Sequence, residues 1–234
     1  MKVVILAAGE GRRMRPITLE RPKPLIKINN KPILSHILES LPKEVEEVVL
    51  VVRYLAEKIK NFFGREFMDR KISYAAGSPL GTAHSFLAAS KSIGREERFL
   101  ALYGDELVLK EDIENCLKER FSVIVFKSEK PWAGGVAKID QSGYLINIEE
   151  KPENPSSDMV AGGIMVIDGG IFECEAARGA KGEYYLSALL AQFAKKKKVK
   201  AVISEEFLGD ITTPEDIKRI ELKMKLRELR KEEA

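Results

Sequence analysis

The opening of the chain constrains its fold more than any other segment. Val3-Val4-Ile5-Leu6-Ala7-Ala8 is an apolar run without polar alternation, and it stops at Gly9-Glu10-Gly11. A strand wetted on one face alternates apolar with polar residues, whereas a strand covered on both faces does not. The run therefore predicts a central parallel strand. The glycines predict a loop at its carboxyl end, the edge where open α/β sheets bind ligands. The rhythm continues through about residue 130: β-branched runs at 48–52, 72–76, 99–103 and 123–126 alternate with helical apolar spacing at 32–41, 55–63, 82–93 and 111–117. The expected fold class is α/β, a Rossmann-like, open, mostly parallel sheet with helices on both faces.

Beyond residue 130 the pattern changes. Segments 135–139, 144–149 and 163–167 are strand-like and joined by short turns such as Gln141-Ser142-Gly143, which predicts a small antiparallel lid. Helical spacing returns at 183–197 and is followed by a strand at 199–203. Thr213-Pro214-Glu215-Asp216 then opens a last helix, with Thr213 as N-cap, Pro214 at the first helical position and acids in the first turn. Residues 152–158, rich in Pro, Ser and Asn, are the expected mobile loop. No internal repeat or long linker interrupts the chain.

Composition narrows the function classes. A chain of 234 residues, 44% of them hydrophobic, can bury a core without staples. Cys116 and Cys174 lie far apart and in no metal-binding or CxxC spacing, which points to free thiols in a reducing compartment. Lys and Arg number 39 against 36 Asp and Glu, so the net charge of +3 gives no whole-protein argument for nucleic acid or a membrane surface. No apolar run approaches the ~18 residues of a membrane span, and no signal-peptide pattern opens the chain. The expected location is cytoplasmic, with no nucleic-acid or membrane partner. The 32% charged residues and the paucity of glutamine are a bias of proteins from hot environments. His36 and His84 have no metal-ligand company, and Lys195–Lys198 reads as a solvated helix end. For the apolar stripe of the last helix, Ile217, Ile220, Met224 and the leucines beyond, core packing is the first reading and contact within a homo-oligomer the second.

The glycine loop carries chemistry. Gly9 and Gly11 let backbone N–H groups approach an anion, and the adjacent arginines Arg12, Arg13 and Arg15 can neutralise phosphate with directional hydrogen bonds. A polyphosphate is the ligand this suggests, with a plain tight turn as the competing reading. The loop is not a Walker A motif, because no G-K-[S/T] ends it, and it lacks the third glycine of the dinucleotide fingerprint.

The longer segment Leu6–Leu25, LAAGEGRRMRPITLERPKPL, resembles the signature of the sugar-1-phosphate nucleotidyltransferases, or nucleotide-sugar pyrophosphorylases. The resemblance continues in order through Leu80-Gly81-Thr82-Ala83-His84, Tyr103-Gly104-Asp105, Glu150-Lys151-Pro152 and Gly182-Glu183-Tyr184-Tyr185, so it covers nearly the whole chain. The LGTAH, YGD and GEYY segments look most like the pyrophosphorylase half of N-acetylglucosamine-1-phosphate uridylyltransferase. The PKPL opening is shared with thymidylyl-, uridylyl- and guanylyltransferases acting on hexose phosphates.

The resemblance implies attack of a sugar-1-phosphate oxygen on the α-phosphorus of a nucleoside triphosphate, with pyrophosphate leaving. Such a displacement needs positioning and charge neutralisation more than covalent chemistry. By resemblance, Arg13 holds the departing pyrophosphate and Lys23 contacts phosphate near the transition state. Leu6, Ala7, Ala8, Gly9, Gly11, Ala76, Gly81 and Thr82 surround the nucleotide. Gly135, Glu150 and Lys151 take the sugar phosphate. Asp105 binds Mg²⁺, and Asp210 is either its second ligand or an Asx-turn residue. Arg12 and Arg15 read as further phosphate contacts or as solvated side chains, and Glu106, a weaker candidate for the metal, is expected to face solvent. The resemblance also implies one catalytic domain over 1–234, with a nucleotide-binding half (1–130) and a sugar-phosphate-binding half plus C-terminal helix (131–234). No β-helix acyltransferase domain, and so no acetyl transfer, is expected.

Three departures from the family pattern stand out. Ala76 occupies the position where the family often has a base-reading glutamine, which leaves backbone groups around Ala76 and Gly77 to read the base. Ala161 replaces an asparagine that contacts the sugar nucleotide in the uridylyltransferase, and Ser187-Ala188 stands where that relative has an aspartate after GEYY. Two alternatives therefore stay open: a CTP-dependent cytidylyltransferase for choline or inositol phosphate, and a catalytically silent nucleotide-sugar-binding regulatory protein.

Overall fold

The computed structural model describes residues 1–179 and 182–232. Strand β1 (Lys2–Ala7) lies in the middle of the sheet and forms parallel pairs with β2 (Glu47–Val52) on one side and β4 (Arg98–Tyr103) on the other; β3 (Arg70–Ala76) extends the parallel block beyond β2. The unbroken apolar run of β1 has a direct cause in packing. Val3, Ile5 and Ala7 enter one core with helices α1 (Ile33–Ser40) and α2 (Ala56–Phe63), while Val4, Leu6 and Ala8 enter a second core with α3 (Thr82–Leu87). Both faces of the strand are dry, so neither has a use for polar side chains.

Helix α4 (Lys110–Leu117) packs Ile113 and Cys116 into the first core, and α5 (Leu186–Lys196) packs Leu186, Leu189, Leu190 and Phe193 into the second. The helices thus lie on both faces, as the sequence pattern requires.

The second half departs from expectation in its connectivity. The 123–126 run belongs to β5 (Ser122–Lys127), which does not join the parallel block; it pairs antiparallel with β8 (Met159–Asp168) and parallel with β9 (Lys200–Ile203). The reason is that β8 occupies the place beside β4. Expected as part of a lid, the 163–167 run lies instead within this central ten-residue strand. Along β8, Ile164–Asp168 face β4, while Val160 and Ala161 face β6 (Gly135–Ile139). Gly162 and Gly163 lie at the changeover, where the register with β5 shifts. What remains of the lid is the antiparallel hairpin of β6 with β7 (Leu145–Glu150).

Two helices are shorter or later than their apolar spacing suggested. The 82–93 segment is α-helical only through Leu87 and continues as a 3₁₀ turn, Ala88–Ser92. The 183–197 helix begins at Leu186, because Tyr184 is drawn into backbone hydrogen bonds: its N–H donates to Leu80 O at 3.2 Å and its carbonyl accepts from Ala83 N at 2.9 Å. The final helix, α6 (Pro214–Glu232), starts where predicted. Asp216 Oδ2 accepts the N–H groups of Thr212 at 2.8 Å and Thr213 at 2.7 Å, the reach-back half of a capping box. Ile220 is buried, with Ile217 and Met224 packed against the same core, while Leu222, Leu226 and Leu229 are exposed. Among the described residues no helix is long and apolar enough to cross a membrane.

Candidate active site

The carboxyl ends of the parallel strands form one wall of the candidate site. Gly104 N–H donates to Leu6 O at 2.9 Å, and a Cβ at Gly104 would stand 2.7 Å from that oxygen. Glycine at this position lets β4 close on β1, which delivers Asp105 beside the glycine loop. Across from it, Lys23 leaves the Pro-Lys-Pro turn largely buried, and its Nζ donates to Asp105 Oδ2 at 2.5 Å. At the loop itself, Gly11 has φ +62° and accepts at its carbonyl from Thr18 Oγ1 at 2.8 Å. A Cβ there would meet Thr18 Cγ2 at 2.9 Å, so both conformation and space favour glycine.

A single cleft is lined by Leu6, Ala7, Ala8 and Gly9, by Gly81 and Thr82, and by Lys23 and Asp105. Most of the sequence-predicted nucleotide residues thus share one recess with Lys23 and Asp105. Gly11, Ala76 and Arg13 are not in its lining, nor are Asp210, Gly135, Glu150 and Lys151. Arg13 is exposed on the 3₁₀ turn Arg12–Met14 and makes no side-chain hydrogen bond or ion pair among the described residues, whereas Arg12 is paired with Glu10 at 2.7 Å.

Beside the cleft, the chain returns to bring Asp210 close. Ile211 N–H donates to Asp105 O at 3.0 Å, and Glu106 and Asp210 form an isolated antiparallel bridge. Glu106 corrects an expectation. It does not face solvent; it is 5% exposed, and its Oε1 accepts Gly163 N–H at 2.8 Å. A Cβ on Gly163 would lie 2.9 Å from Glu106 Oε2 and one on Gly162 would lie 3.1 Å from Oε1, so the glycine pair at the β8 changeover makes room for this carboxyl. The signal was present in the sequence, since adjacent glycines inside a strand mark a bulge or a close approach.

Three carboxyl groups, Asp105, Glu106 and Asp210, crowd this corner. Burial, then the charge of Asp210, holds the Glu106 carboxyl well above the usual carboxylate range. Withdrawal from bulk water, then the charge of Asp105, pushes Asp210 up to about 6, although its side chain keeps a path to solvent. The Tyr103 hydroxyl is raised by burial and by its carboxylate neighbours Glu150, Glu106, Asp105 and Asp210. Lys23 is the cation that meets Asp105. Hard oxygen donors with too little positive charge around them fit a divalent cation such as Mg²⁺, which takes one or two protein carboxylates and keeps several waters. Among the described residues no three His, Cys, Asp or Glu side chains converge as a metal cage.

The sugar-side residues converge from three elements. Glu150 ends β7, and its Oε2 accepts Ser187 Oγ of α5 at 2.7 Å. A Cβ at Gly135 would stand 2.8 Å from Ile148 Cγ2 and 3.2 Å from Glu150 Oε2, which explains glycine there. Lys151 has φ +47°, and its N–H donates to Gly134 O at 2.9 Å. Its Nζ lies 4.3 Å from the centre of the Tyr185 ring and 3.5 Å from Glu150 Oε1. Burial, then the charge of Glu183, raises the Tyr185 hydroxyl to about 12, so it is a neutral donor at physiological pH. The role of Ser187 in fixing Glu150 was not legible in the sequence, where Ser187 registered only as a departure from pattern. The same segment ties the two walls together. A Cβ on Gly81 would meet Tyr184 O at 2.4 Å, and Leu186 N–H donates to Thr82 Oγ1 at 2.9 Å.

A family model described as nucleotidyl transferase matches residues 2–225. The chain belongs to the nucleotidyl transferase family. Among curated relatives, the bifunctional protein GlmU of Methanocaldococcus jannaschii is 34% identical over 93% of this chain and 52% of its own length. The chain thus spans about half of that relative. A UTP–glucose-1-phosphate uridylyltransferase, AglF of Haloferax volcanii, is 30% identical with 97% of each chain covered. A solved UDP-glucose pyrophosphorylase complexed with UDP-glucose superposes with a TM-score of 0.80 over 97% of this chain and 98% of that one; at 21% identity it establishes the shared fold.

Proposed function

We propose that this member of the family transfers a nucleotidyl group from a nucleoside triphosphate to a sugar-1-phosphate, giving a nucleotide-sugar and pyrophosphate. The observation that carries the reading is the joining of two unlike walls. The glycine-loop edge with its Lys23–Asp105 pair is tied through Gly81 and Tyr184 to the wall that holds Glu150 and Lys151. The relatives' names, a uridylyltransferase for glucose-1-phosphate among them, support the same chemistry.

In this reading Leu6–Gly9, Gly11, Gly81 and Thr82 cradle the nucleotide with backbone groups, and the base lies toward Ala76. Arg13, free on its turn, closes on the departing pyrophosphate, for which a bidentate guanidinium is well shaped. Lys23 neutralises charge at the α-phosphate as a compact cation. Glu150, immobilised by Ser187, accepts sugar hydroxyls, and Lys151 takes the sugar phosphate, with Gly135 keeping the floor open. Asp105 and Asp210 would hold Mg²⁺, which screens phosphate charge when bound. The first 130 residues serve the nucleotide and the later ones the sugar phosphate, within one domain. Two free, buried thiols, Cys116 and Cys174, suit a reducing cytoplasm.

The test is a matrix of five nucleoside triphosphates against a panel of sugar-1-phosphates with Mg²⁺, scored by pyrophosphate release. Turnover with at least one pair is expected. Silence across the matrix overturns the reading and favours a binding protein.

A further inference from the structure

Among the described residues, one buried side-chain nitrogen has no hydrogen-bond partner: Arg53 Nε. Arg53 is the first residue after β2. The registers Ala7↔Val52 and Val52↔Ala76 place it between Ala8 and Gly77 on the ligand edge of the sheet, and it lines the cleft together with Ser78 and Gly81. One end of its guanidinium is fixed, because Nη2 donates to Glu10 Oε1 at 3.0 Å. Glu10 accepts Arg12 at its other oxygen, at 2.7 Å. Nε is enclosed by protein and does not itself face a ligand. The side chain is nevertheless 30% exposed and lines the cleft, and its Nη1 makes no hydrogen bond among the described residues, so the outer edge of the guanidinium is the donor left for an acceptor.

The nucleobase supplies that acceptor on the geometry of the sheet. Lys23 and Asp105 anchor the phosphate end over β4, and the strand order β4-β1-β2 sets Arg53 two strands away, roughly 10 Å along the edge at a spacing of about 4.8 Å per strand. The far end of a nucleotide held at Asp105 therefore comes to lie over β2 and β3. There Ala76 offers no polar side chain, and Arg53 is the cation of the cleft wall away from the Lys23–Asp105 pair, with Glu183 lining the same cleft.

We propose that Arg53 selects the base by donating to an exocyclic keto oxygen, favouring uracil, thymine or guanine over cytosine and adenine, which present an amino group at the equivalent ring position. Arginine carries donors only, so an amino group opposite it leaves both unpaired. This rests on the nucleotidyltransferase reading above and names its substrate class.

The experiment measures kcat/KM for UTP, dTTP, GTP, CTP and ATP with the best sugar-1-phosphate, in the unmodified chain, in Arg53→Ala and in Arg53→Lys, with thermal melts as a check of folding. The unmodified chain is expected to prefer its best keto base over CTP and ATP by about 10- to 100-fold. Arg53→Ala should bring that ratio near unity, chiefly through KM, and Arg53→Lys should restore part of it. If Arg53→Ala melts at a lower temperature, Arg53→Lys carries the comparison. A uniform loss across all five triphosphates would assign Arg53 to phosphate and overturn the proposal, as would an unchanged ratio. Inactivity of the unmodified chain with every pair would instead sink the transferase reading itself.

Discussion

The two sides of the candidate site are built in opposite ways. On the parallel side, the site is made by backbone and by absence: Gly104 exists so that two strands can touch, Gly11 so that a loop can turn back, and the side chains of Lys23 and Asp105 meet across the gap these leave. On the antiparallel side, the site is a side-chain network in which Ser187 holds Glu150, Glu150 neighbours Lys151, and Lys151 lies over the Tyr185 ring. Strand ends in a parallel sheet deliver loops to one edge automatically, so small residues suffice there. A hairpin lid has no such edge, and its polar groups must be oriented by bonds to one another.

That contrast is open to direct attack. Asp105→Ala should lower turnover by about 10²- to 10³-fold with the circular dichroism spectrum unchanged, because it removes charge organisation at the reacting phosphate without touching a core. Near-normal turnover would strip the parallel wall of its assigned chemistry. On the other wall, Glu150→Gln should raise KM for the sugar phosphate by about tenfold or more and leave KM for the triphosphate in place, as loss of a charged hydrogen-bond acceptor requires. An equal rise for both substrates would show that the walls do not divide the labour. Gly81→Ala attacks the joint between them. The added Cβ collides with Tyr184 O, at a φ of +131° that disfavours any side chain, so denaturant melts should show a loss of about 1–3 kcal/mol and KM for both substrates should rise.

The smallest effect is expected outside the site. The Asp216 carboxyl is partly buried, which raises its pKa, but Arg219 and the N–H groups of Thr213 and Thr212 outweigh this and hold it below its ordinary value. A depressed folded-state pKa gives stability that is present above the unfolded value and lost as pH falls through the folded one. Asp216→Ala should therefore cost about 1 kcal/mol at neutral pH, and the difference from the unmodified chain should shrink below about pH 4. A constant difference across pH would mean that the α6 cap works through packing and not through charge.

Much of the parallel wall was legible residue by residue. The uniform apolar run of β1 announced two dry faces, and the glycines after it announced a ligand edge; Lys23 and Asp105 followed from a motif. The antiparallel half was less so. A strand run such as 123–126 looks the same whether its partner lies in a parallel or an antiparallel block, since local pattern reports burial and not the neighbour's direction. Glu106 was misplaced for a related reason. A glutamate next to a loop is ordinarily solvated, and only the meeting of β8 with both β4 and β6 creates the glycine-lined niche that buries it. Arg53 went unnoticed because an arginine after a strand carries no pattern; its unpaired Nε and its place on the cleft wall emerge only when the strand ends are set side by side.

The amino-acid sequence by itself determined that this protein has a two-sided sheet, a glycine loop at its carboxyl edge and the charged residues Lys23 and Asp105 in the motifs beside it. Those properties depend on periodicity and on residue chemistry within short windows. Only the tertiary structure decided which strand stands beside β4, which carboxyl is buried, and how Gly81 and Tyr184 lock the two walls together, because each of these depends on contacts between segments far apart in the chain.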